Sequence, residues 1–184
     1  MTIGSQISHP IPPVWNSESQ VLILGTMPSP KSREAGFFYM HPQNRFWSVM
    51  EEVFNETFEH SNNSPDRTAT ITERRDFLLR HHLAIWDVLA SCEITGAADS
   101  SIKNVIPNDF TEILENSQIR HIICTGKTAY NLWRKNCSAL YEARYNLTIH
   151  CLPSTSRANA QWSKEKLIEE YKIILKQVRL TGVY

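Results

Sequence analysis

Nowhere in this chain do apolar residues run together for the roughly 20 positions that a helix needs to cross a bilayer. The opening residues, Met1-Thr-Ile-Gly-Ser-Gln6, also lack the basic head and apolar stretch of a secretory signal. A cytoplasmic protein with no membrane partner is the expectation. The four cysteines, Cys92, Cys124, Cys137 and Cys151, form no C-x-x-C pair and no Cys/His group at zinc spacing. No metal and no cofactor are therefore expected. Cys124 and Cys151 sit inside apolar runs and read as small buried hydrophobes. A surplus of charge is missing as well, since 19 basic residues balance 19 acidic ones. Nonspecific attraction to nucleic acid needs positive surface, so any such surface has to be a local face of the molecule. The spacings G-x-x-x-x-G-K-[ST] and G-x-G-x-x-G are absent, which disfavours a nucleotide-cofactor fold. No Ser-His-Asp set, G-x-S-x-G elbow or metal triad occurs either, so hydrolysis by an activated side-chain nucleophile is disfavoured.

What is present is an ordinary globular composition, 41% hydrophobic and 21% charged over 184 residues. That length suits a single domain, 1–184, whose residues 1–19 form an extended arm because His9-Pro-Ile-Pro-Pro13 cannot enter a regular helix. Short apolar runs at 21–24, 83–88, 119–125 and 147–152 read as strands. Helices are expected over 44–58, over 72–82 with Thr72 as cap, after an Asn108 cap, after Gly126, and over 163–178 as one long element. Residues 60–70 read as a surface loop, and 91–101, with Gly96 and Asp99, as a second long connection. Strands alternating with helices predict a three-layer α/β/α sandwich around a central four-stranded, mainly parallel sheet.

In such a sheet the carboxyl ends of the strands share one edge, and ligands bind there. All four ends here open into polar loops: Thr26-Met-Pro-Ser29, Asp87, Thr125-Gly-Lys127 and Pro153-Ser-Thr-Ser-Arg157. Pro28 and Pro30 stiffen the first loop, and its Ser29 and Lys31 suit a polymer backbone as well as a plain surface turn. Asn44 reads either as a helix cap or as an amide offered to a bound base or water. Phe37, Phe38 and Tyr39 are three aromatics on a loop, the kind of residue on which bases stack. Asp87 in an apolar strand needs a partner, because an unpaired buried carboxylate is expensive. Lys127 at a helix start opposes the helix dipole and hints at a nearby anion.

The segment from Leu24-Gly-Thr-Met-Pro-Ser29 to His41-Pro-Gln-Asn-Arg-Phe-Trp47 resembles the uracil-DNA glycosylase superfamily, and within it the hypoxanthine-DNA (deoxyinosine) glycosylase branch. Gly126-Lys-Thr-Ala-Tyr130 and Leu152-Pro-Ser-Thr-Ser156 carry the likeness through the chain. It departs at Thr26-Met27, where many members carry Asn or Asp, and at Arg157, where proline is usual. The resemblance implies a monofunctional enzyme that flips a deaminated base, most simply hypoxanthine, out of double- or single-stranded DNA and hydrolyses its N-glycosidic bond. It implies Asn44 as the catalytic amide, with Asp87 as a secondary catalytic group. Thr26, Met27, Phe38 and His41 are implied as base-binding. Pro28, Ser29, Lys31, Lys127, Ser154, Thr155, Ser156 and Arg157 are implied as DNA-binding. A monomer is expected. The rival expectations are a uracil or mismatch glycosylase, a nonenzymatic damaged-DNA binder and a nucleoside hydrolase.

Overall fold

Val21–Gly25, five residues without a polar side chain, form β2, a wholly buried strand at the heart of the molecule. The structure is a computed structural model that describes residues 5–94 and 102–179. Strand β3 (Leu83–Asp87) pairs with β2 on one side, and β6 (His121–Thr125) on the other, with β7 (Thr148–Leu152) beyond β6. All three pairings are parallel, in the order β3-β2-β6-β7. Side chains alternate across a strand, so β2 feeds two cores. Val21 and Ile23 join one cluster with Phe46, Trp47, Phe77 and Leu167, while Leu22 and Leu24 join another with Phe110, Trp133 and Tyr141. The first cluster lies under α2 (Phe46–Phe54), α3 (Arg67–Arg80), α7 (Lys164–Tyr171) and α8 (Ile173–Arg179). The second lies under α4 (Thr111–Glu115), α5 (Lys127–Asn136) and α6 (Ser138–Tyr145). This is the expected three-layer α/β/α arrangement.

Several local expectations are corrected. The first loop contains a short helix, α1 (Pro30–Ala35), capped by the Ser29 side chain and closed by Gly36 at φ 74°. Helix α2 begins two residues after Asn44 and stops at Phe54. Asp66, not Thr72, caps α3, because its carboxylate accepts from Ala69 N at 2.9 Å. Asn108 is no cap either: its Nδ2 donates to the Asp87 carbonyl at 2.9 Å, and α4 starts at Thr111. The long C-terminal helix is two helices, parted at Lys172. Cys151 is exposed on the outermost strand β7, whereas Cys124 is buried as expected.

A second sheet adds to the expected architecture. Strands β1 (Ser5–Ser8), β4 (Leu89–Ile94) and β5 (Lys103–Pro107) form an antiparallel sheet in the order β1-β4-β5. The connection expected over 91–101 is therefore partly strand, and Gly96 and Asp99 lie outside the described residues. Within the described residues the N-terminal arm thus contributes β1 and then runs antiparallel to β3 at Val14, which exchanges backbone hydrogen bonds with Ile85 at 3.1 and 2.9 Å.

Candidate active site

The carboxyl ends of the parallel strands do converge. Gly25, Asp87 and Thr125, the last residues of β2, β3 and β6, line one cleft of about 200 Å³ together with Ser154 just after β7. Thr26, Met27, Pro28, Ser29, Phe38, Asn44 and Ser156 line it too. A wider groove of about 740 Å³ adjoins it, shares Ser29, Asn44 and Ser156, and adds Lys31, His41 and Arg157. His41, expected at the base edge, therefore stands in the outer groove. Lys127 is exposed at the start of α5 and lines neither space.

The floor of the cleft depends on Gly25. A Cβ there would lie 2.2 Å from Asp87 Oδ1 and 3.1 Å from the Tyr39 hydroxyl, so only glycine admits both groups. Asp87 is 4% exposed, and its Oδ2 lies 2.8 Å from His9 Nε2. The partner this carboxylate requires thus comes from the N-terminal arm. His9 Nδ1 accepts the Ile11 backbone N–H at 3.2 Å, so the ring proton sits on Nε2 and is donated to Asp87. Burial pushes the Asp87 carboxyl above the usual carboxylate range, and the His9 hydrogen bond counters it.

Tyr39 stands over the same glycine. Its hydroxyl lies 2.6 Å from Thr125 Oγ1, which in turn lies 3.2 Å from the Leu24 carbonyl. A carbonyl only accepts, so Thr125 donates to Leu24 and Tyr39 donates to Thr125. The Tyr39 oxygen is left with lone pairs alone. Burial, aided by the Asp87 charge, pushes its ionisation well above the usual tyrosine range, so it stays protonated. Phe37 and Phe38 are core residues, and of these two only Phe38 reaches the cleft. The Trp47 indole N–H fixes its backbone through the Phe38 carbonyl at 3.0 Å.

Asn44 is oriented without ambiguity. Its Oδ1 accepts the Phe46 backbone N–H at 2.9 Å, and because an N–H only donates, the facing atom is the oxygen. The same oxygen accepts from Thr155 Oγ1 at 2.9 Å. Asn44 lines the cleft, and its Nδ2 has no hydrogen-bond partner among the described residues. Thr155, expected at the DNA, is 1% exposed and acts instead as this second donor. Ser29 likewise directs its hydroxyl inward, accepting from Ser32 N at 3.2 Å and donating to Ser32 Oγ at 3.1 Å.

Arg45 joins the two halves of the site. Its guanidinium donates to the carbonyls of Thr155 at 3.3 Å, Ser156 at 2.9 Å and Asn159 at 3.2 Å, and also to that of Trp162. One planar cation thereby holds the loop over 155–162 against the start of α2. Arg157 projects from that loop, exposed. Sequence reasoning missed four members of this site: His9, Tyr39 as a polar group, Thr125 as its acceptor, and Arg45. Arg45 alone had a signal, its place beside Asn44.

The family model for the uracil DNA glycosylase superfamily matches residues 12–178. A hypoxanthine DNA glycosylase of Methanosarcina acetivorans is 27% identical over 162 residues, covering 87% of this chain and 93% of that protein. A second, from Methanosarcina barkeri, is 26% identical over 117 residues, or 63% of this chain and 69% of that one. The fold is similar to a solution NMR structure of a candidate uracil DNA glycosylase from Methanosarcina acetivorans. The TM-score is 0.68 at 22% identity, with 93% of this chain and 99% of that chain covered.

Proposed function

This chain belongs to the uracil DNA glycosylase superfamily, and from that premise we propose that it removes hypoxanthine from deoxyinosine-containing DNA by monofunctional hydrolysis. The observation that carries the reading is the fixed amide of Asn44 at the cleft, whose Oδ1 is held by two donors and whose Nδ2 has no hydrogen-bond partner among the described residues. Rupture of the N-glycosidic bond leaves its electron pair on the base and positive charge on the sugar. A hydrogen-bond donor aimed at the base is stronger in that transition state than in the ground state. Asn44 therefore donates to an acceptor on the departing base. Water then adds to C1′ of the sugar cation, and its released proton neutralises the base. No activated side-chain nucleophile is required.

Phe38 stacks on the flipped base, and Thr26 and Met27 offer backbone groups at its edge. Pro28, Ser154 and Ser156 shape the mouth through which the strand passes, with Ser29 presenting backbone there. Lys31, Arg157 and Lys127 meet phosphates. The Lys31 ammonium pairs with Glu34 at 2.8 Å, but both side chains are more than half exposed, so phosphate competes readily for it. The reading extends to a monomer acting in the cytoplasm; among the described residues no helix is long and apolar enough to cross a membrane.

An oligonucleotide panel tests this reading. Duplexes and single strands bearing one deoxyinosine, deoxyuridine or deoxyxanthosine are incubated with the protein, then treated with alkali to break abasic sites. Strand breakage at deoxyinosine is the expected result, fastest of the three. Breakage confined to deoxyuridine moves the substrate to uracil, and tight binding without breakage makes the chain a binder of damaged DNA.

A further inference from the structure

Two polar groups over Gly25, the Asp87 carboxylate and the Tyr39 oxygen, present hydrogen-bond acceptors, and the first is held by a segment far away in sequence. Asp87 Oδ2 takes the His9 Nε2–H, while Oδ1, over Gly25, receives no hydrogen bond from the described residues, and Asp87 lines the cleft. Beside it the Tyr39 hydroxyl donates its hydrogen bond to Thr125, so its oxygen offers only lone pairs. His9 itself has one orientation. Its Nδ1 is tied to Ile11 N–H, its backbone N–H donates to the Ala90 carbonyl at 2.7 Å, and its side chain is 2% exposed.

A flipped nucleotide enters base first, with its sugar still tethered to the strand at the mouth. The groups at the floor consequently meet the ring edge most distant from the sugar. In hypoxanthine that edge carries the N1 proton beside the 6-oxo group. In adenine, from which hypoxanthine arises by deamination, N1 bears a lone pair and the exocyclic group is the donor. A carboxylate oxygen accepts only. It completes a hydrogen bond with the hypoxanthine N1–H and confronts adenine with lone pair against lone pair. A site built on such a bond rejects the analogue that lacks it far more strongly than shape alone can.

We infer that Asp87 determines which base is accepted, taking the ring N–H of a deaminated purine at Oδ1, and that His9 of the N-terminal arm is its positioning residue. This deepens the glycosylase reading and rests on it. Asp87 then serves selection, in place of the secondary catalytic role that the resemblance implies for it. The arm becomes part of the substrate-reading apparatus.

The test is single-turnover base release from duplexes carrying either deoxyinosine or deoxynebularine, whose purine has no 6-oxo group and has a bare lone pair at N1. Asp87→Asn can turn an N–H toward that lone pair. The expected result is a fall of at least about tenfold in the inosine-to-nebularine rate ratio relative to the unmodified protein. His9→Ala should narrow the ratio in the same direction, and His9→Gln, which keeps a side-chain N–H donor for Oδ2, should restore it. A merely structural role would slow both substrates together. Affinity for an abasic-site duplex monitors folding of each variant, and if Asp87→Asn loses it, the two His9 variants decide. Unchanged ratios in folded Asp87→Asn, or in His9→Ala, overturn the inference and leave the glycosylase reading standing. Absence of base release by the unmodified protein from deoxyinosine overturns that reading, and the inference with it.

Discussion

Gly25 shows how a single residue can set the chemistry of a site by what it omits. Its missing side chain is the space in which Asp87 Oδ1 and the Tyr39 hydroxyl stand. Gly25→Ala would place a methyl group 2.2 Å from the carboxylate oxygen, well inside contact distance. The carboxylate is pinned by His9 and β2 lies at the centre of the sheet, so neither partner yields easily. The expected outcome is a loss of about 1–3 kcal/mol in stability, seen as a lower denaturant midpoint. Base release should fall by a larger factor than that stability loss accounts for. Retained activity would show that the floor is looser than its geometry. Asp87 and Asn44 were legible as candidates because polar side chains at strand and helix boundaries invite a chemical explanation. His9 was not, since it meets Asp87 across 78 positions of sequence and its His9-Pro10 context read only as an arm. Tyr39 reads from the sequence as an aromatic face, whereas the structure engages its hydroxyl.

Among the elements, the four parallel strands were readable because each is an apolar run between polar breaks, a pattern that burial on both faces imposes. The antiparallel sheet escaped notice for the opposite reason. Strands β4 and β5 are only part-buried and carry Ser91, Glu93, Lys103 and Asn104, so no hydrophobic period marks them. Helix α1 leaves signs in the sequence, a Ser29 cap, Pro30 at its first turn and Gly36 after its end, but the run carries no apolar period and so reads as a loop. The most consequential link between elements is Arg45, whose four carbonyl contacts join α2 to the loop over 155–162. A lysine ammonium cannot span that fan of acceptors. Arg45→Lys is expected to cost about 2–3 kcal/mol, from loss of charge-assisted hydrogen bonds. It should also speed tryptic cleavage after Arg157. Cleavage at an unchanged rate would mean that the loop is held by other contacts, such as the Asn159 Nδ2 bond to the Ser154 carbonyl at 2.9 Å.

For the molecule as a whole, a net charge of zero means that DNA is not drawn in by bulk attraction. Among the described residues seven lysines and arginines are paired with glutamates, so electrostatic capture falls to cations without an ion pair there, such as Arg157 and Lys127, and to Lys31, whose exposed pair phosphate can displace. Arg157→Ala should weaken binding to any duplex alike and reduce the slope of log affinity against log salt by about 1. An unaltered slope would place Arg157 away from phosphate. Binding by local contact fits an enzyme that grips one nucleotide tightly and the rest of the duplex lightly. The architecture serves that end: one sheet edge gathers the strand ends, the HPQN segment supplies a fixed amide, and the N-terminal arm braces the floor from outside the parallel sheet.

The account turns on the direction in which Asn44 works. Oδ1 is held by Phe46 N–H and the Thr155 hydroxyl, and on the reading proposed above Nδ2 is the atom that donates to the substrate. Asn44→Asp preserves shape and both of those bonds but replaces the donor with a carboxylate oxygen. Single-turnover release of hypoxanthine from a deoxyinosine duplex by this variant is the most direct measurement. The predicted result is a loss of about 10²–10³-fold, as deep as in Asn44→Ala, with abasic-duplex affinity retained. Activity in Asn44→Asp that matches or exceeds the unmodified protein would contradict it, because an acceptor facing the attacking water would then be the working group.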